Sequence, residues 1–216
     1  MKIIISLITT LLMTTSFAAE TKIKMYFPKE DILKIIEMYS KATGQKFVID
    51  PSVRGQVSIL VQEPVSSEEA FNQLSSALAL NGFAISKQDD TMIIQNARSA
   101  QRNLIEVNTT LPSLKPQRMA TWIYTAKNVP ADFLNRELRI LTSAYGEMSV
   151  NRSTNQIIFT DWTSNLLRIS DVLKETDKKM DAAVSKNIES MMKERPLMHH
   201  KEKKAHPLKD EPQENQ

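Results

Sequence analysis

Between Lys22 and Phe27 the chain changes character at every residue, with Ile23, Met25 and Phe27 alternating with Lys22, Lys24 and Tyr26. A strand sends successive side chains to opposite faces, so this period of two predicts a half-buried strand with its apolar set on the core, ended by Pro28. Ile32, Ile35, Ile36 and Tyr39 then recur at helical spacing, and Gly44 stands where a left-handed residue stops a helix. Lys46 to Asp50 predict a second strand closed by Pro51, followed by a turn at Val53-Arg54-Gly55. In a third strand Val57, Ile59 and Val61 alternate with Ser58, Leu60 and Gln62. Ser66 and Glu69 have the spacing of a capping box, with Val65 and Ala70 placed to staple it. The helix that follows buries Ala70, Phe71, Leu74, Ala77 and Leu78 and stops at Asn81-Gly82. Phe83 to Lys87 and Thr91 to Gln95 flank Asp89-Asp90 as a hairpin. The order is β-α-β-β-α-β-β, one α+β module within residues 19–97.

Periodicity fades over residues 98–118, where Pro112 and Pro116 punctuate a largely polar stretch, and an inter-domain linker is expected. A second module occupies 119–178. Thr121 to Ala126 predict a strand, Pro130 the first turn of a helix after Asn128, and Leu134, Leu138 and Leu141 its inner face. Tyr145-Gly146 breaks that helix, Ser153-Thr154-Asn155 turn a hairpin between Met148 and Asp161, and Thr163 or Asp161 caps a last helix. Leu166, Ile169, Val172 and Leu173 form its buried face, giving β-α-β-β-α. From 179 onward Met180, Val184, Ile188, Met191 and Met192 keep helical spacing, so the last helix is expected to run on as an amphipathic, Met-rich extension. After Pro196 the chain is too poor in apolar residues to order itself, and a disordered tail is expected.

The first residues add a compartment. Lys2, the apolar run Ile3 to Met13 and the small residues of Ser16-Phe17-Ala18 read as a cleavable signal peptide over 1–18, so export to the periplasm is expected. That run is too short to span a bilayer, so no transmembrane span is expected. With 28 basic and 25 acidic residues the net charge is +3, and it falls to +2 once Lys2 is removed. So small a surplus argues against nucleic acid as a partner. There is no Cys, which excludes a thiol nucleophile and a disulfide framework, and the four Gly exclude phosphate-binding glycine motifs. The three His residues, His199, His200 and His206, all fall in the expected tail, where nothing fixes a ligand geometry. No catalytic set, cofactor site or metal site emerges, and an enzyme is not expected. Trp122 and Trp162 fit an interface or a core equally well, and the Met stripe fits either an adaptable binding face or a helix folded on the second module.

The segment Lys46-Phe47-Val48-Ile49-Asp50-Pro51-Ser52-Val53-Arg54-Gly55-Gln56-Val57-Ser58, with the later Leu80-Asn81-Gly82-Phe83-Ala84, resembles the short N-terminal domain shared by secretins and TonB-dependent receptors. Asn128-Val129-Pro130-Ala131, Val150 to Ile158 and Leu166-Leu167-Arg168-Ile169 are similar to the repeated secretin N-domain. The resemblance implies a protein-interaction component of a type II secretion or type IV pilus-like envelope machine. Its partners would be secretion-system proteins, either an inner-membrane component or a pore-forming secretin, and a homo-oligomeric ring is implied as well. No pore-forming segment is legible after Asp177, so the chain is expected to lack its own pore. The alternative is a signalling module like that of TonB-dependent receptors. Strand addition at a sheet edge is the expected mechanism. The candidate edges are the first strand, with Lys22, Lys24 and Tyr26, and the third, with Val57 and Ile59.

Overall fold

The computed structural model describes residues 22–102 and 105–193, so the readings for the signal peptide and for the tail lie outside the described residues. The first module runs β1 (Tyr26–Asp31), α1 (Ile32–Thr43), β2 (Lys46–Ile49), β3 (Gln56–Leu60), α2 (Ser67–Leu80), β4 (Phe83–Gln88) and β5 (Thr91–Asn96), the expected order. It makes two small sheets. β1 and β3 form an antiparallel ribbon, while β5 lies between β2, to which it is parallel, and β4, to which it is antiparallel. The core fills with the residues the two periods nominate. Ile32, Ile35, Ile36 and Tyr39 of α1 and Ala70, Leu74, Ala77 and Leu78 of α2 meet Ile23, Met25, Ile59, Phe83, Ile85 and Ile94.

The helix ends show which local signals were honoured. Gly44 closes α1 in the left-handed region at φ 72°, its N–H donating to the Ser40 carbonyl at 2.8 Å. Ser66 caps α2, accepting from the Glu69 N–H at 3.2 Å. The reciprocal half of the capping box is missing, because the Glu69 carboxylate accepts from Gln73 (2.7 Å) and Asn72 (3.5 Å) instead. Neither Thr163 nor Asp161 caps the later helix. Thr163 is its first residue and donates its hydroxyl to the Leu114 carbonyl, while the Gln117 side chain accepts from the Ser164 N–H at 3.3 Å.

Residues 98–118, expected to be a linker, carry structure. One helical turn, α3 (Ala97–Ala100), is capped by Asn96, whose side chain accepts from the Arg98 N–H at 3.0 Å. The short β6 (Val107–Asn108) pairs in parallel with β7 (Met119–Thr125). Arg118 ties the intervening loop down, donating to Glu106 at 2.6 Å and to the Ser113 and Pro116 carbonyls. Proline and polar content hid this, because the segment is held by backbone and guanidinium hydrogen bonds and not by a periodic apolar face.

The second module continues with α4 (Ala131–Leu138), β8 (Glu147–Asn151), β9 (Gln156–Trp162) and α5 (Thr163–Thr176), the expected β-α-β-β-α. Its sheet has the order β6-β7-β9-β8. Leu141 belongs to a short 3-10 turn after α4 and is not a core residue. Trp122 is buried and stacks on the fully buried Phe159, their ring centroids 5.5 Å apart, so it serves the core.

α5 does not run on. Asp177 ends it, and the carboxylate there folds back on the loop between β7 and α4. Its oxygens accept from the N–H groups of Lys127 (2.8 Å), Asn128 (2.8 Å) and Val129 (2.9 Å) and from the Tyr124 hydroxyl (2.6 Å). Asn128 returns a bond from its amide to the Asp177 carbonyl at 2.6 Å. Burial pushes this carboxyl up, but the four donors together outweigh it and hold it below its ordinary value.

The two modules share an apolar seam. Ala84, Ala97 and Ala100 from one side pack with Met119 and Trp162 from the other, and Ala79, Ile105 and Tyr145 border them. Trp162 therefore packs inside the chain. The Tyr145 ring lies over Gly82, and the Arg98 guanidinium sits 5.9 Å from its centroid while donating to the Ala144 carbonyl at 3.2 Å.

The chain divides into two compact units with the boundary after Lys178. In the second, Asp181 opens a separate helix, α6 (Ala182–Lys193), accepting from the Ala183 N–H at 3.3 Å. Of the expected stripe, Met180 precedes the helix, and the side chains of Met191 and Met192 lie outside the described residues.

Candidate protein-docking surface

The first strand and the third, nominated separately from sequence, pair with each other. Tyr26 lies opposite Leu60 and Phe27 opposite Ile59. The ribbon extends towards the N-terminus through Ile23, which exchanges backbone hydrogen bonds with Val65 at 2.7 and 2.9 Å, and through Met25, whose carbonyl accepts from the Val61 N–H at 3.1 Å. Backbone groups alternate sides along a strand, so those of Lys24 turn away from this pairing towards the unpaired edge.

Alternation holds on the side chains too. Ile23 and Met25 are buried, Met25 completely, while Lys22, Lys24 and Tyr26 are exposed. Pro28 does not end the strand as expected. It lies within β1, which continues to Asp31 through a bulge between Phe27 and Glu30. At the bulge Lys29 adopts φ 53° and its N–H donates to Ser58 Oγ at 3.0 Å. Phe27, just before it, is only half-buried.

The five sequence-nominated residues thus share one ribbon but not one face. Lys22, Lys24 and Tyr26 look outward. Ile59 is 6% exposed and Val57 half-buried, so both give their side chains to the core and only their backbone to an edge. The residue missed is Leu60, 61% exposed and directly across from Tyr26, itself 40% exposed. Its signal was present, since an apolar residue on the polar phase of an alternating strand has no core to serve. Lys34, farther along, is occupied, donating to Glu30 at 2.9 Å and holding that carboxyl below its ordinary value. Among the described residues neither Lys22 nor Lys24 is ion-paired.

Among the described residues no group of three or more His, Asp or Glu is placed to hold a metal ion, and none of the helices is long and apolar enough to cross a membrane. An open cleft of about 500 Å³ beside the seam is lined by Leu80, Leu114 and Trp162 and by the Glu69–Lys115 ion pair, with no acid–base set.

Two tandem α+β modules are also what comparison with known proteins finds in secretins. Residues 25–94 match the GspD-like N0 domain. Secretin XcpQ of Pseudomonas aeruginosa is 30% identical over 150 residues, which are 69% of this chain and 22% of that protein. Secretin GspD of Vibrio cholerae is 23% identical over 176 residues, 80% of this chain and 26% of that protein. The structure of the Klebsiella pneumoniae type II secretion system outer membrane complex, with PulD, PulS and the PulC HR domain, overlays with a TM-score of 0.63. That overlay covers 81% of this chain and 32% of that one at 20% identity, a likeness of fold. The described modules match secretin N-terminal domains, residues 25–94 through the N0 family and the longer two-module stretch through the secretins named above. The chain spans about a quarter of the length of the curated relatives it matches.

Proposed function

We propose that the chain is a periplasmic protein–protein interaction module of a secretin-type envelope machine, exported by the leader over 1–18. Its ribbon of β1 and β3 takes up an extended strand from a partner. The observation that supports this most is the exposed Tyr26–Leu60 pair beside an edge whose backbone groups at Lys24 have no strand to bond among the described residues. Backbone hydrogen bonds along such an edge supply affinity, and alternate side chains supply choice. The Klebsiella assembly holds a secretin with a PulC HR domain, and a domain of that kind, from an inner-membrane component, is the partner we assign. The signalling alternative falls behind because the named relatives are secretins and the match extends over both modules.

A Lys24→Pro substitution removes one edge N–H and obstructs an added strand while leaving Ile23 and Met25 in phase. It is expected to abolish capture of the periplasmic domain of the cognate inner-membrane component in a pull-down, with little change in thermal midpoint. Met25→Ala is the contrast, costing about 2–3 kcal/mol of stability through the cavity it leaves. Normal capture by the Pro variant would place the docking site elsewhere.

A further inference from the structure

The outward face of the first strand also carries a charge pattern, and it names the chemistry of the strand that docks there. This inference rests on the docking reading above and extends it to the partner's sequence. Tyr26, Lys24 and Lys22 follow one another at intervals of two on the exposed face, because Ile23 and Met25 occupy the buried one. A strand added to this edge sets its own side chains at the same interval, about 5 Å from those of β1. One of its residues then lies against Tyr26, which Leu60 backs from across the ribbon. The next two residues in phase lie against Lys24 and Lys22. Neither lysine is ion-paired among the described residues, whereas Lys34 and Lys41 of the neighbouring α1 are both held by carboxylates four residues before them. Glu63, exposed on the segment opposite, makes no ion pair with either lysine. The outward residues across the ribbon, Ser58, Leu60 and Gln62, carry no charge, so the lysines set the sign of this face.

We infer that the preferred partner strand carries an apolar side chain followed, at alternate positions, by two carboxylates. Its apolar residue covers Tyr26 and its acids meet Lys24 and Lys22. Exposed ion pairs are individually weak, so the effect is one of choice more than of affinity.

The test uses the full mature chain and fluorescein-labelled ten-residue peptides. These carry one Leu and two Glu at alternate positions, in both chain directions, with matched peptides bearing Lys for Glu. Fluorescence anisotropy at about 20 mM salt should show the Glu peptides binding about three- to tenfold tighter than the Lys peptides, and the difference should shrink at about 300 mM salt. In the K22E/K24E double variant the preference should invert. Equal binding of the two peptide classes, a preference for the Lys peptides, or no binding of either overturns the inference. Lys24→Pro separates this failure from that of the docking reading. If wild type binds the two classes equally and Lys24→Pro removes both, the edge stands and the charge inference falls. If it still captures the inner-membrane domain, the edge itself is wrong.

Discussion

Asp177→Ala should lower the stability of the first unit by about 3–5 kcal/mol in urea denaturation at neutral pH. The side chain is buried and accepts from three consecutive backbone N–H groups and from the Tyr124 hydroxyl. Each buried donor left without an acceptor costs about 1–3 kcal/mol, and water reaching the truncated site recovers part of the sum. The loss has a pH signature. The carboxyl is held below its ordinary value in the fold, so its contribution is complete above the unfolded value of 3.8 and fades as the pH falls through the lower folded value. Wild type should therefore lose this advantage over the Ala variant only in acid, and a gap that stays constant down to pH 2 would contradict the assignment. Tyr124 is pushed the other way, up from its ordinary value by burial and by the neighbouring carboxylate, and it remains a donor throughout.

Gly82→Ala is the second large effect, expected at about 3 kcal/mol. Two costs combine. Gly82 sits at φ 76°, where an L side chain is strained by about 1–2 kcal/mol. A Cβ there would also collide with the Tyr145 hydroxyl and stand 2.8 Å from the ring carbon bearing it. The second cost belongs to the seam between the modules and the first does not. Combining Gly82→Ala with Tyr145→Ala should therefore recover the clash and leave the dihedral strain, a coupling of about 1–2 kcal/mol in a double-mutant cycle. Strict additivity would mean that Tyr145 does not seat on Gly82 in solution.

The elements that were legible in sequence are those built on a single repeating face. The alternation of Val57, Ile59 and Val61 and the stripe of Ala70, Leu74, Ala77 and Leu78 were written by burial, and burial is where the structure puts them. Turns with special dihedrals were equally plain, as at Gly44 and at the Asp89 and Asn155 hairpins, where φ is positive. Bonds between residues distant in sequence stayed hidden. The Gln117 acceptor at the start of α5 lies 47 residues before the N–H it takes, and Asp177 lies about 50 residues from its donors, so no local pattern records either. The structure carried by residues 98–118 was hidden for the same reason. Ala97 and Ala100, at the start of this stretch, are too small and too few to make a period, yet both pack in the seam between the modules.

The site divides along the same line. Periodicity identified the ribbon's strands and the outward phase of the first one. Its other half, Leu60, was marked in sequence as an apolar residue on a polar phase, but its place across from Tyr26 comes only from the pairing of the two strands.

The bulge at Pro28 and Lys29 gives the edge of the first strand a fixed end. An incoming strand finds alternating backbone partners from Lys22 to Phe27, then meets a proline with no N–H and a lysine whose N–H is already given to Ser58. At that point the track has an end stop. A guest that slides along by one pair loses bonds at that stop and finds none to replace them. On the docking reading proposed above, the stop limits the register of a guest strand, and a second copy seeking to extend the sheet along β1 would meet the same barrier.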